Sequence, residues 1–218
     1  MVIFDCNGVL VDSEQLAASI VSQEFMRAGF PLTADIVTRY FTGRRPADMF
    51  AEVEQAARRK LPENFPATVS AAILRRFRAE LRATRHATYA LSWLRGPKCV
   101  ASSSSLDRIR VSLETTDLIR FFEPYLFSGN DVPTGKPAPD LFLHAAKKMQ
   151  VPPADCIVVE DSPVGVAAGV GAGMTVIGFV GGGHAGPQLG NHLRAAGARA
   201  VINDLRALKS TIIDLRGW

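Results

Sequence analysis

Six short apolar runs recur along the chain, and stretches with helical periodicity separate them. The runs occupy residues 2–4, 99–101, 125–127, 157–159, 175–179 and 200–202. They are apolar throughout instead of alternating with polar residues, as strands covered by helices on both faces need to be. Strands that alternate with helices in this way predict an α/β protein built on a doubly wound parallel sheet.

The best-marked helix lies between the fourth and fifth runs. Ser162 is placed to cap its start, Pro163 suits the first helical position, and Gly173 follows its end. The segment 164–183 is uncharged and long enough to raise the question of a membrane span. Its eight glycines and the internal helix stop instead indicate helix, turn and strand. No contact with a membrane is therefore expected.

The long segment between the first two apolar runs contains no convincing strand. One of its amphipathic helical faces is formed by Leu16, Ile20, Phe25 and Ala28. We therefore predict a core domain made of residues 1–13 and 87–218, with residues 14–86 inserted as a helical domain. An insertion after the first strand lies over the carboxyl ends of the strands, where open α/β sheets bind ligands. It is expected to cover the functional site.

Composition narrows the class of protein. With 218 residues, 47% of them hydrophobic, the chain can bury a sizeable core. The three cysteines are odd in number and have no metal-binding spacing, which argues against disulfides and zinc. The first residues contain neither a basic segment nor an apolar run long enough for a signal peptide. A cytoplasmic location is therefore expected.

Charge does not point to nucleic acid. The net charge is +4, and five arginines cluster within one helical stretch: Arg75, Arg76, Arg78, Arg82 and Arg85. No aromatic residues interleave with them as a stacking platform for bases would require. The cluster either steers anions or forms a solvated face, and the second interpretation is favoured.

The first candidate for chemistry follows the first strand. Asp5 stands at the strand's carboxyl end, and Gly8 permits a sharp turn so that position 7 faces the same site. A carboxylate there can attack phosphorus if a cation neutralises the approaching phosphate. The alternative is an aspartate that only ends a strand as a turn residue.

Two further segments offer groups that bind anions. Ser102 and Ser103 follow the second strand at a predicted helix start, where hydroxyl and backbone N–H groups bind phosphate, although serines there are often plain caps. Lys136 is followed by Pro137 within a proline-rich loop, which holds its charge in one place. A lone loop lysine can equally be exposed to solvent.

Two adjacent acids, Glu160 and Asp161, end the fourth strand. Hard oxygen ligands of this kind suit Mg²⁺, although acids also favour the start of a helix. The carboxyl ends of parallel strands lie at one edge of the sheet, so all four segments are expected to meet in one crevice. Nucleophile, anion cradle, lysine and metal acids together are typical of phosphoryl transfer.

In these motifs and their order the chain resembles the haloacid dehalogenase superfamily, in the subgroup of β-phosphoglucomutase, phosphoglycolate phosphatase and small sugar phosphatases. The resemblance runs along essentially the whole chain. It implies a Rossmann-like core with a helical cap. It also implies Mg²⁺-dependent hydrolysis of a small phosphorylated metabolite, such as a sugar phosphate, through an aspartyl-phosphate. We expect a monomer or a weak homodimer.

The resemblance also implies roles for individual residues. Asp5 would be the nucleophile, with its second oxygen on Mg²⁺, and Asn7 would offer its backbone carbonyl to the metal. The other implied roles are phosphate binding by Ser102, Ser103 and Lys136, metal binding by Glu160 and Asp161, and substrate contact by the cap-loop residues Gly43, Arg44 and Arg45. Arg44 or Arg45 would contact a distal anionic group or would face water.

Two positions depart from the family pattern. The residue two positions after the nucleophile is normally an aspartate that transfers protons, and Asn7 cannot do this. The usual Pro-Gly turn after the cap is also missing, and His86 stands near its place. These departures leave open a weakened phosphatase or a degenerate binder of phosphorylated ligands. A mutase or a dehalogenase is less favoured, because a mutase needs the missing acid and a dehalogenase needs no metal acids.

Overall fold

The computed structural model describes residues 1–217. Within them six strands form one sheet, in which every neighbouring pair is parallel. The strands are β1 (Val2–Phe4), β2 (Lys98–Ser102), β3 (Leu126–Ser128), β4 (Ile157–Glu160), β5 (Thr175–Phe179) and β6 (Ala200–Ile202). Their spatial order is β3-β2-β1-β4-β5-β6. The predicted doubly wound α/β sheet is confirmed.

The strand order locates the crevice of the sheet. The chain builds β2 and β3 on one side of β1 and then crosses to build β4, β5 and β6 on the other side. The switch point therefore lies between β1 and β4, which pair directly. Because ligands of such sheets bind at the switch point, the residues that follow β1 and β4 lie where a ligand is expected.

Ten α-helices accompany the sheet within the described residues. Four lie between β1 and β2: α1 (Glu14–Arg27), α2 (Ala34–Phe41), α3 (Pro46–Ala57) and α4 (Phe65–Glu80). The other six are α5 (Ala87–Trp93), α6 (Leu106–Thr115), α7 (Asp140–Lys148), α8 (Pro163–Gly171), α9 (Leu189–Ala195) and α10 (Leu208–Arg216). Short 3-10 turns occupy Ile119–Phe121, Gly129–Asp131, Pro153–Asp155 and Leu205–Ala207.

Both faces of the sheet are buried, which explains why its strands are apolar throughout. Neighbouring residues of β1 point to opposite faces, so that Phe4 joins one apolar cluster and Ile3 the other. The cluster that contains Phe4 continues into the four inserted helices, where the rings of Phe25, Phe50 and Phe65 pack with centroids 4.8–5.9 Å apart. We keep the division into a core and a cap of residues 14–86 as a proposal.

Helix α8 begins and ends as its sequence predicts. The Ser162 hydroxyl oxygen accepts a hydrogen bond from the Gly165 backbone N–H at 3.1 Å, and Pro163 is the first helical residue. Gly173, just beyond the helix, has a φ of +74°, which glycine adopts without strain. This cap points the start of α8 at the carboxyl end of β4.

His86 stands where the family's glycine turn would end the inserted segment. It has a φ of +65°, in the left-handed region that a glycine would occupy easily. Its Nδ1 lies 2.9 Å from Asp204 Oδ1, beyond β6. This contact anchors an otherwise unfavourable backbone conformation at the junction with α5.

The sequence led to one expectation about the cysteines and another about a membrane span. Cys6, Cys99 and Cys156 are free and buried. None of the helices within residues 1–217 combines the length and the apolar character that crossing a membrane requires.

Candidate active site

A buried lysine joins two carboxylates at the switch point of the sheet. Lys136 Nζ donates to Asp5 Oδ1 and to Glu160 Oε1, each at 2.6 Å, and lies 4.9 Å from the centre of the Phe142 ring. Burial alone would lower the pKa of Lys136, but the carboxylates of Asp5 and Glu160 raise it above its usual value. The ammonium group therefore remains charged in the interior.

Glu160 has no oxygen left free. Its Oε1 accepts from Lys136, and its Oε2 accepts from the Ser162 backbone N–H at 2.8 Å and the Ser162 hydroxyl at 3.0 Å. Gly165 of α8 packs so closely that a Cβ there would overlap Glu160 Oε1. The helix start thus fixes Glu160, and Glu160 in turn fixes Lys136.

This packing makes Gly165 sensitive to a single methyl group. We expect Gly165→Ala to destabilise the protein by about 1–3 kcal/mol, the usual cost of overpacking, although alanine is the better helix former by about 1 kcal/mol. Gly171→Ala is the matched control in the same helix, because its Cβ would approach only Pro139, at 3.8 Å. Urea unfolding measures both, and equal effects of the two substitutions would contradict the packing argument.

Asp161 points away from Glu160, toward a histidine. Asp161 Oδ2 and His184 Nε2 lie 3.0 Å apart without hydrogen-bond geometry, and both side chains are buried. Burial raises the pKa of Asp161 to about 7, and the nearby Glu160 also raises it, whereas His184 opposes the shift. A Cβ at Gly8 would overlap Asp161 Oδ2. Gly8, at a φ of +77°, therefore permits this approach.

His184 is a site residue that the sequence analysis missed. Burial acts to lower its pKa, but the Asp161 carboxylate raises it more. The available signal was its position in the run of residues 181–184, three glycines and a histidine, directly after the apolar run of β5. Like the other site segments, this loop starts at the carboxyl end of a strand.

Asn7 shares the site with the serines that follow β2. Its Nδ2 donates to Ser104 Oγ at 2.8 Å, while its Oδ1 is buried without a hydrogen-bond partner among residues 1–217. Ser102 is buried, and Ser103 Oγ donates to the backbone carbonyl of Gly43 at 2.7 Å. The loop between α2 and α3 therefore touches the serine segment directly.

A cavity of about 80 Å³ lies between the inserted helices and the sheet. Seven of the residues predicted for the site line it: Asp5, Asn7, Gly43, Arg44, Arg45, Ser102 and Ser103. Lys136 donates to the cavity-lining Asp5, and Glu160 accepts from Lys136 behind it. The structure thus brings seven of the predicted residues together around one partly open cavity, and Asp161 is not among its lining residues.

The two cap-loop arginines are already engaged. Arg45 donates to both oxygens of Asp48 at 2.9 and 3.0 Å, and to the carbonyls of Val132 and Pro133. Arg44 forms an ion pair with Glu52 at 2.7 Å. Both arginines also line the cavity, and contact of Arg44 or Arg45 with a distal anion stays a prediction.

The acids of the site form a plausible ligand set for a divalent cation. Asp5, Glu160 and Asp161 offer oxygens within 4.8 Å of one another, and all three are buried. Burial raises the pKa of Asp5 well above its usual range; Lys136 opposes the shift and Glu160 adds to it. Lys136 contacts two of these carboxylates, those of Asp5 and Glu160, and Asp161 Oδ2 lacks a hydrogen bond. These hard, undercompensated oxygens fit Mg²⁺.

Comparison with known proteins agrees with this arrangement. A family model of haloacid dehalogenase-like hydrolases matches residues 1–173. The 6-phosphogluconate phosphatase of Escherichia coli K12 is 34% identical over 179 residues, which cover 82% of this chain and 81% of that protein. The phosphorylated carbohydrates phosphatase of Thermotoga maritima is 29% identical over 79% of this chain and 81% of its own length.

Solved structures show the same fold over nearly the whole chain. A haloacid dehalogenase-like protein of unknown function from Agrobacterium tumefaciens is 34% identical, with a TM-score of 0.82 over 99% of this chain and 98% of that one. A hydrolase of the same family from Deinococcus radiodurans, with bound phosphate and sodium, is 29% identical, with a TM-score of 0.74 over 98% and 94%. The chain belongs to the haloacid dehalogenase-like hydrolases.

Proposed function

We propose that the protein is a Mg²⁺-dependent phosphatase that hydrolyses a small phosphorylated metabolite through an aspartyl-phosphate on Asp5. The observation that carries the proposal is the Asp5 carboxylate, held by buried Lys136 at 2.6 Å on the wall of a cavity between the inserted helices and the sheet. The relatives named as phosphatases of 6-phosphogluconate and of phosphorylated carbohydrates support it. Sugar phosphates and sugar-acid phosphates are therefore the first substrates to test.

Each neighbour of Asp5 has a role in the first half of this reaction. An oxygen of Asp5 attacks phosphorus, and the bond from phosphorus to the leaving oxygen breaks with its electron pair on that oxygen. Lys136 holds Asp5 in line and offers positive charge to a phosphoryl oxygen, while Ser102 and the backbone N–H of Ser103 bind the other oxygens. The leaving oxygen then needs a proton, and the Asn7 amide can donate only a hydrogen bond.

The second half is hydrolysis of the aspartyl-phosphate. Water attacks phosphorus, the bond to Asp5 breaks, and phosphate leaves with the carboxylate restored. The attacking water must lose a proton, and Asn7 has no basic group that can take it. This half of the cycle is therefore the slower one in the present chain.

We assign the metal to Asp5, Asp161 and the backbone carbonyl of Asn7. Bound Mg²⁺ supplies positive charge that compensates Asp5 and the phosphoryl oxygens. Glu160, whose oxygens are occupied by Lys136 and Ser162, positions the lysine instead of ligating the metal. The buried free cysteines accord with a cytoplasmic enzyme, which we propose to act as a monomer or weak homodimer.

Calorimetry tests the metal assignment. We expect one Mg²⁺ per chain, and we expect Asp161→Asn to weaken binding at least tenfold because it removes one anionic ligand. Asp155→Asn is the matched control, since Asp155 is an exposed acid just before the same strand β4. The assignment fails if the wild-type chain takes up no Mg²⁺ even with vanadate present, or if both variants bind alike.

A binder without turnover is the second candidate, and Asn7 is the observation that favours it. The discriminating assay combines p-nitrophenyl phosphate, Mg²⁺ and rapid quenching. Release of inorganic phosphate over many turnovers supports the phosphatase. Accumulation of phosphoprotein without release of phosphate indicates an enzyme blocked at the second half-reaction, and the absence of both indicates a binder.

A further inference from the structure

Arg108, in the first turn of α6, has an unusual environment for an arginine. Its Nε is buried without a hydrogen-bond partner, and the guanidinium group makes no ion pair with any residue in the range 1–217. Its Cζ lies 5.0 Å from the centre of the Phe77 ring of α4. Burial lowers the pKa of Arg108, and the carboxylates of Glu14 and Asp5 oppose the shift.

The position of Arg108 relates it to the proposed active site. It lines the cavity that Asp5 and Ser102 also line. It also lines a second, larger hollow of about 500 Å³, whose apolar wall includes Phe50, Val69 and Ile73. These three residues belong to the cavity wall as well. The space around the nucleophile therefore continues past Arg108 between the inserted helices and α6.

Three arginines line the cavity, and two of them are compensated. Arg44 pairs with Glu52, and Arg45 pairs with Asp48. Glu14 lies on the same wall and affects Arg108 electrostatically, but the two do not come within ion-pair distance in the described part of the chain. Arg108 is thus the cavity arginine that forms no ion pair within residues 1–217, although Glu14 and Asp5 act on its charge from a distance.

We propose that Arg108 binds a second anionic group, a carboxylate or a phosphate, at the far end of the substrate's leaving group. The proposal rests on the phosphatase function proposed above and adds a substrate class to it, namely phosphate esters with two anionic ends. A guanidinium group donates two parallel hydrogen bonds to either anion. The Phe77 ring, whose centre lies 5.0 Å from Arg108 Cζ, packs against the guanidinium group.

Three ligands with the same six-carbon chain separate the possibilities. Sorbitol 6-phosphate has a neutral far end, 6-phosphogluconate has a carboxylate, and sorbitol 1,6-bisphosphate has a second phosphate. Their inhibition constants are measured against hydrolysis of p-nitrophenyl phosphate with Mg²⁺. We expect 6-phosphogluconate, sorbitol 1,6-bisphosphate or both to bind about ten- to a hundredfold more tightly than sorbitol 6-phosphate. This is the range for charge-assisted hydrogen bonds.

Variants assign this preference to a residue. R108Q should remove most of the preference for the second anion. R110Q should leave it intact, since Arg110 lies on the same helix α6 and pairs at the surface with Glu123. R108K should keep part of the preference, because lysine retains the charge but loses the planar fork. If a thermal scan shows that R108Q is unfolded, R108K replaces it as the test. A smaller preference for the second anionic group in R108K than in the wild type then supports the role of Arg108.

Two results would overturn the proposal. One is equal affinity of the wild-type protein for all three ligands. The other is a loss in R108Q that is the same for all three, which would mean that Arg108 serves only the packing between α4 and α6. If no phosphate ester is hydrolysed, the phosphatase function fails separately, and calorimetric binding of the same three ligands still decides the role of Arg108.

Discussion

Replacing Asn7 with aspartate is expected to raise the turnover of alkyl phosphates by about 10²- to 10⁴-fold, the contribution of a positioned general acid and base. This corresponds to about 3–5 kcal/mol of barrier. The side chain at this position already lines the cavity beside Asp5. Ser104 Oγ, now an acceptor from Asn7 Nδ2 at 2.8 Å, can turn its hydroxyl to donate to the introduced carboxylate. The site therefore needs no rearrangement.

The gain should depend on the leaving group. Alkoxides of sugars need a proton, whereas aryl oxides leave without one, so Asn7→Asp should help sugar phosphates more than p-nitrophenyl phosphate. Steady-state rates for both classes measure the difference. Asn64→Asp, an exposed change of the same chemistry before α4, should alter neither. If Asn7→Asp changes neither class while Asp5→Asn abolishes both activities, another group transfers the protons.

Spontaneous deamidation could imitate this variant. An asparagine followed by glycine is prone to it, because the backbone nitrogen of Gly8 can attack the Asn7 amide. In the folded chain, however, the Gly8 N–H donates to the Val11 carbonyl at 2.8 Å, which restrains this nitrogen. We expect residual activity to follow the deamidated fraction, as mass spectrometry of the Asn7 peptide during storage can measure.

Lys136→Met is expected to lower the free energy of unfolding by about 3–5 kcal/mol, the usual cost of removing one partner from a buried ion pair. The substitution leaves Asp5 and Glu160 facing each other in the interior without compensation. It should also strongly weaken vanadate binding, because the anion would approach Asp5 and Glu160 without the cation that compensates them. Denaturant unfolding and vanadate titration measure the two effects.

A second substitution distinguishes lost charge compensation from lost packing. Adding Glu160→Gln to Lys136→Met removes one of the stranded charges, so it should recover part of the stability but none of the vanadate affinity. Lys147→Met, at an exposed lysine of α7, should change stability by about 0.5 kcal/mol or less. Equal losses in the single and double variants would contradict the electrostatic account.

The sheet could be predicted from sequence because its strands are buried on both faces and are therefore apolar throughout. Residues 2–4, 175–179 and 200–202 were placed correctly to the residue, whereas β2 and β4 extend beyond their apolar runs to Ser102 and Glu160. Those polar ends still hydrogen-bond within the sheet, but hydrophobicity alone cannot include them. The residues of the candidate site lie at these same strand ends. Because the strands are parallel, their carboxyl ends share one edge of the sheet, and the location of the site could therefore be predicted.

The partners of the site residues could not be predicted, because they depend on contacts between distant segments. Glu160 and Asp161 are adjacent acids that looked equivalent, yet one is occupied by Lys136 and the other faces His184. Arg45 is an exception, because its partner Asp48 stands at the local (i, i+3) spacing, whereas Arg44 pairs with Glu52 eight residues further on. The sequence analysis did not single out Arg108, because its place beside Phe77 depends on the packing of α4 against α6.

The central position of β1 has a consequence for how the chain folds. Val2 pairs with Lys98 on one side and with Ile157 on the other. During synthesis β1 therefore precedes both of its partner strands by long stretches of chain. The inserted helices, whose contacts are local, can form meanwhile, but the sheet cannot close until β4 is synthesised. Such long-range pairing slows folding and prolongs exposure of apolar segments. A chain truncated before β4 should therefore retain helices, lack a native sheet and aggregate.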